Sequence, residues 1–177
     1  MRRLIALASV LALIALAPAG CRIRKKSARR APAEEDGQLA SVVNVADPRA
    51  SVQLTQGFYS VESDAWRWTA KNFSVALRPP KGADQKGMTL QLSFVLPEVS
   101  LNRLGPMTVS GRANGVDLGS ETFSKSGELS YHRDVPPNAL TGEVVVVDFS
   151  LDKALPPTPQ DQRELGIVVS AIGLVAK

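Results

Sequence analysis

The segment Trp66-Arg67-Trp68-Thr69 contains both tryptophans of the chain, one on either side of a basic residue. On an extended strand successive side chains point to opposite faces, so the two indoles share one side and Arg67 takes the other. Two readings of the pair stand side by side. At least one indole could fill core volume, which a chain with only 5% aromatic residues leaves wanting. Alternatively the pair forms a stacking platform for sugar rings, whose CH faces pack on indole, with Arg67 or Glu62 nearby for hydroxyl groups. Much further along, Asp161-Gln162-Arg163-Glu164-Leu165-Gly166 alternates in charge. An ion pair from Asp161 to Arg163 or to Arg67 would lock that loop. Recognition of a hydroxylated ligand by Arg163 is the sharper expectation, and it requires the strands of Trp66 and Arg163 to be neighbours. The candidate ligand-binding set is therefore Trp66, Arg67, Trp68 and Arg163.

Other chemistry is scarce. With one Cys and one His the chain cannot build a Cys/His zinc site, a disulfide framework or a two-thiol redox centre. No metal and no cofactor is expected. His132 and Asp134, in Ser130-Tyr131-His132-Arg133-Asp134, would share a strand face as a base and its orienter do, but no Gly-x-Ser-x-Gly turn or comparable nucleophile signature accompanies them. A carboxylate pair for glycoside hydrolysis would come from separate strands, and nothing singles one out. No catalytic residue is assigned, and the chain is read as a non-enzyme.

The formal charge of +4 suggests a nucleic-acid binder until it is placed along the chain. Eight of the 21 basic residues precede position 31 and no acidic residue does, so residues 31–177 carry 13 basic against 17 acidic groups, a net of −4. A phosphate-binding surface needs clustered Lys and Arg on the domain itself. No nucleic-acid partner is expected.

The basic residues belong to an export layout. Met1-Arg2-Arg3 is a positive start, Leu4 to Leu16 is apolar apart from Ser9, and Ala17-Pro18-Ala19-Gly20-Cys21 follows. The apolar run is too short to span hydrocarbon as a helix, which takes roughly 20 residues. Residues 1–20 are read as a lipoprotein-type signal peptide, with the single Cys21 acylated and holding the chain at the membrane of a bacterial cell envelope. Cleavage after Ala19 into a secreted or periplasmic form is the alternative. Pro18 stands where such signals usually carry Leu, and Arg22-Ile23-Arg24-Lys25-Lys26 with Arg29-Arg30 opposes export by the positive-inside rule, so an uncleaved anchor with a cytoplasmic domain is a further alternative. After export the same basic run could lie against anionic head groups. Residues 21–50, basic and then acidic, read as a flexible tether.

From there on the hydrophobic period is two. Phe73, Val75 and Leu77; Leu90, Leu92, Phe94 and Leu96; Met107, Val109 and Gly111; and Val145, Val147, Phe149 and Leu151 each mark one buried face. The other face of the second run carries Thr89, Gln91, Ser93 and Val95. Val144 to Val147 suits a central strand. Asn114-Gly115 predicts a type I′ hairpin. Pro79-Pro80, Pro136-Pro137 and Pro156-Pro157-Thr158-Pro159 fall between strands. No segment carries a long amphipathic helical pattern; residues 161–165 could make one turn before a last strand over 166–175, with Gly166 permitting a bulge or close packing. The reading is all-β: an antiparallel β-sandwich or jelly roll of about eight strands over residues 51–177.

Gly57-Phe58-Tyr59 with Glu62, Trp66-Arg67-Trp68-Thr69, Val109 to Gly115, Val135-Pro136 and Asp161-x-Arg163-x-Leu165-Gly166-Ile167 together, in that order, resemble the accessory β-sandwich domains found beside bacterial glycosyltransferases and related surface-sugar enzymes. The resemblance spans about 120 residues. It implies a galactose-binding-like jelly roll with no catalytic residues of its own, here as a free-standing lipoprotein. Two functions follow as expectations. One is a lipid-anchored, non-enzymatic sandwich that binds glycan or another cell-envelope component. The other is a structural or assembly lipoprotein that binds an envelope protein along a sheet edge. The first needs the Trp66/Trp68 side accessible, whereas the second buries both indoles.

Overall fold

The period-two segments fold as nine strands in the computed structural model, which describes residues 39–177: β1 (Val42–Asn44), β2 (Leu54–Glu62), β3 (Trp66–Leu77), β4 (Met88–Leu96), β5 (Met107–Ala113), β6 (Val116–Phe123), β7 (Gly127–Val135), β8 (Val145–Leu151) and β9 (Val168–Val175). Two short helices, α1 (Ala83–Lys86) and α2 (Glu98–Leu104), bracket β4. Among the described residues no helix is long and apolar enough to cross a membrane. The signal peptide, Cys21 and the basic run lie outside the described residues.

All strand pairings are antiparallel. One layer runs β2–β3–β8–β5–β6 and the other β9–β4–β7, with β1 beside β9. Strand β3 belongs to both. Its second half pairs with β8 from Asn72↔Ser150 to Leu77↔Val145, while Arg67 and Trp68 pair with Val169 and Val168 of β9. From β3 onward every connection except the β5–β6 hairpin crosses between layers, the wrapping of a jelly-roll sandwich.

The layers meet over the side chains that alternation marks. Phe73, Val75, Leu77, Leu90, Leu92, Phe94, Leu96, Met107, Val109, Val145, Val147, Phe149 and Leu151 are all buried. Aromatic rings tie the layers together: Tyr131 of β7 meets Phe149 of β8 edge-on at 6.2 Å, and Phe94 of β4 meets Phe123 of β6 at 5.1 Å. The Tyr131 hydroxyl donates to the Gly119 carbonyl of β6 at 2.6 Å, and burial raises its pKa above the usual phenol value. The hairpin turn forms at Asn114-Gly115 with φ of 46° and 81°, the two positive angles that a type I′ turn requires. Strand β8 is central, between β3 and β5.

Two details differ from the sequence reading. There are nine strands rather than about eight, because β1 forms inside the segment read as tether. Val43 and Val45 are 3% and 0% exposed, and the pairing Val42↔Gly173 to Asn44↔Ala171 adds β1 to β9. Two valines spaced by two are enough to seat a short strand, although the surrounding composition is that of a linker. Residues 161–165 form no helical turn; Leu165 bridges Leu155, and Gly166 donates to the Thr69 carbonyl at 2.7 Å, so the segment runs along β3 before β9 begins.

Candidate functional site

Cross-strand neighbours share a face. Trp68 pairs with Val168, Val168 with Val95, and Val95 with Glu128, so these four residues form a row across β3, β9, β4 and β7. The row lies on the outer face, since Phe94, Leu96 and Val169 on the alternate positions are core. Continuing the β3–β9 register by one residue places Ser170 opposite Trp66. Ser170 donates from its hydroxyl to the Ser93 carbonyl at 3.3 Å, and Ser93 pairs with Ser130. A second row therefore reads Trp66, Ser170, Ser93, Ser130.

These rows form the walls and floor of an open groove of about 520 Å³, lined by Trp66 and the preceding Ala65 at one end and by Glu128 and Ser130 at the other. Val95 and Val168 supply apolar floor between the serines. Neither indole is among the buried core residues; both are half-buried, with Trp66 lining the groove and Trp68 beside it on the same face.

Arg67 takes the opposite face, as alternation requires, and pairs with the core residue Val169. Its Nε donates to the Val45 carbonyl at 2.7 Å and its Nη1 to the Tyr59 carbonyl at 2.9 Å. This brace joins the chain just beyond β1, β2 and β3 at the end of the sandwich nearest Trp66.

Arg163 reaches the neighbourhood of Trp66 through Glu62. Glu62 is the β2 register partner of Trp66, and its carboxylate accepts from Arg163 Nη1 at 2.8 Å. The other side of the guanidinium is forked onto Asp161, with Nε 2.9 Å from Oδ1 and Nη2 2.8 Å from Oδ2. These bonds hold the Asp161 carboxyl at about 2, below the usual range, and raise Arg163 further into its charged form. The guanidinium also lies 5.3 Å from the Tyr59 ring centroid, and the Tyr59 hydroxyl donates to the Glu164 carbonyl at 2.8 Å. Glu164 in turn accepts from the Lys71 amide at 2.8 Å. Arg163 is linked to the Trp66 position through Glu62, and its bonds to Asp161 close the loop on itself. Arg163 is not a groove-lining residue.

Glu128, Ser93, Ser130 and Ser170 were not singled out from sequence, because they come from three separate strands, β7, β4 and β9, and serines on an outward face carry no pattern. A signal did exist. Val95 and Val168 are apolar residues at outward positions of their strands, an apolar spot on an otherwise polar face. His132 and Asp134 are exposed on the outer face of β7, and Asp134 pairs with Lys177 at 3.0 Å. Among the described residues no group of three or more His, Cys, Asp or Glu could hold a metal ion.

No protein-family model matches the chain, and no curated protein sequence does either. Solved structures match its shape. A family GH115 4-O-methyl-α-glucuronidase with specificity for decorated arabinogalactans aligns with a TM-score of 0.50 at 8% identity, over 84% of this chain and 19% of the enzyme. A family 35 carbohydrate binding module from Clostridium thermocellum aligns with a TM-score of 0.45 at 11% identity, over 76% of this chain and 98% of the module. A second family 35 module, from an environmental isolate, gives 0.42 at 13% identity over 81% and 91%. At such identities the likeness to the glucuronidase segment is one of fold, and it agrees with the antiparallel β-sandwich described above.

Proposed function

We propose that this domain is a non-catalytic glycan-binding sandwich, displayed on an exported chain that is anchored to the bacterial envelope through acylated Cys21, and that the Trp66 groove is its binding site. The observation that carries the reading is the groove itself: an accessible indole followed by three serines and a carboxylate on a sheet face. Sugar rings offer a CH face to an indole and a rim of hydroxyl groups to such side chains. Half-buried indoles outside the core favour this function over capture of a protein along a sheet edge. Trp68 supports the groove from beside Trp66, while Arg67 and Arg163 act as positioning residues that fix the β2–β3 end around it. The anchor rests on the N-terminal layout, in which the chain's single cysteine follows Ala19-Gly20.

Trp66→Ala should remove retention on immobilised envelope polysaccharide while lowering stability by about 1 to 2 kcal/mol, between the cost at a surface site and the 3 to 5 kcal/mol of an emptied aromatic core site. Pull-downs beside urea melts check it. Retention by the variant equal to that of wild type removes this groove from consideration. Cys21→Ala should release the protein from the membrane fraction or leave an unprocessed precursor; unchanged fractionation and mass would overturn the lipid anchor.

A further inference from the structure

The groove is chemically one-sided. Its lining contains one charged residue, Glu128, and no lysine or arginine. Three arginines of the neighbouring strands and loops are engaged elsewhere: Arg67 donates to two backbone carbonyls on the opposite face, Arg163 is forked between Asp161 and Glu62, and Arg133 of β7 donates to Glu121 and to the Ser120 carbonyl. An anionic sugar entering the groove would meet a carboxylate and no cation among the lining residues, whereas an ammonium group would find a partner. Trp66 adds to the same preference, because an indole face attracts cations.

The register sets the size of the ligand. Strand β3, which carries the indoles, and β7, which carries Glu128, are separated by three strand spacings of about 4.8 Å, roughly 14 Å in all. That exceeds one pyranose ring. Indole and carboxylate therefore contact different rings of an oligosaccharide lying across the strands, with Ser170, Ser93 and Ser130 between them.

We propose, on the basis of the glycan reading above, that the groove selects oligosaccharides carrying free amino groups, of the de-N-acetylated hexosamine type, over their N-acetylated or uronate counterparts. One ring stacks on Trp66 and an ammonium-bearing ring lies at Glu128.

Titration calorimetry on the full chain, with three hexamers as probes, tests this: β-1,4-linked glucosamine, its N-acetylated form and an oligogalacturonate. Wild type should hold the glucosamine hexamer about two- to five-fold more tightly than the acetylated one, the range of an exposed ion pair, and the uronate most weakly. Added salt should shrink the difference. Glu128→Gln, at an exposed position, should erase the preference by bringing affinity for the glucosamine hexamer down to that for the acetylated one. Trp66→Ala should weaken both hexosamine probes, which general attraction between a polycation and an acidic domain would not predict. Equal affinity of wild type for the two hexosamine probes, preference for the uronate, or a preference that survives Glu128→Gln overturns the inference and leaves glycan binding standing. Binding of no probe, or binding indifferent to Trp66, overturns both.

Discussion

Arg163 illustrates how one side chain fixes a local geometry. Its guanidinium joins Asp161, on its own loop, to Glu62, at the end of β2, and holds the approach to Trp66 in place. The acid response of this link follows from the Asp161 carboxyl, which the bonds from Arg163 lower from 3.8 to about 2. Between those values the unfolded chain takes up a proton that the folded chain refuses. The link's contribution to stability is therefore complete above about pH 4 and is lost as the pH falls towards 2. Asp161→Asn should flatten that part of the stability profile and leave the rest unchanged, as read from urea melts between pH 2 and 6. Parallel profiles for the two proteins in this window would mean that the pair contributes nothing measurable.

At the scale of elements, the groove depends on β3 serving two layers. The exchange from β8 to β9 takes place where Gly166 lies against Thr69, and there is no room for a side chain: a Cβ on Gly166 would sit 2.6 Å from Leu151 Cδ1 and 2.8 Å from both the Ala70 carbonyl and Thr69 Oγ1. Gly166→Ala should cost about 1 to 3 kcal/mol, the range for overpacking against atoms that cannot all move, and should weaken glycan retention by displacing the start of β9 under Val168. A melt within 0.5 kcal/mol of wild type would show that the backbone adjusts freely. The β5–β6 turn is the control. Gly115 has φ of 81° and open space around its Cα, so Gly115→Ala should cost about 1 kcal/mol through backbone strain alone and leave retention intact.

For the molecule as a whole, the start of the folded unit matters more than composition suggests. Residues 39–177 should fold cooperatively, with a circular-dichroism spectrum dominated by strand. A chain starting at residue 51 lacks the buried Val43 and Val45, and it also lacks Ala40, whose backbone exchanges two hydrogen bonds with the buried amide of Gln53. Burial of two valine side chains is worth about 3 kcal/mol or more. The shorter chain should be less stable by at least that amount, and equal midpoints in urea would assign β1 a decorative role.

Which face of each strand is buried was legible without the structure, because alternation is a local property: Phe73, Phe94, Val109 and Phe149 declare their side through neighbours one and two residues away. The Asn114-Gly115 turn was legible for the same reason, since its demand for two positive φ angles falls on adjacent residues. The likeness in outward direction of Trp66 and Trp68, and the contrary direction of Arg67, also follow from local pleat. What β3 adjoins is not local. Trp66 stands in line with Ser170, Ser93 and Ser130, and Trp68 with Val168, Val95 and Glu128, only because β9, β4 and β7 arrive beside it in one register, and that register is set by how side chains on the inner faces interlock. A strand slip of one residue would leave the sequence pattern of each segment unchanged in isolation while turning its groove residues into the core. The chain's local chemistry determined the strands and their faces, and packing between strands distant in sequence decided that an indole, three hydroxyls and a carboxylate share one groove.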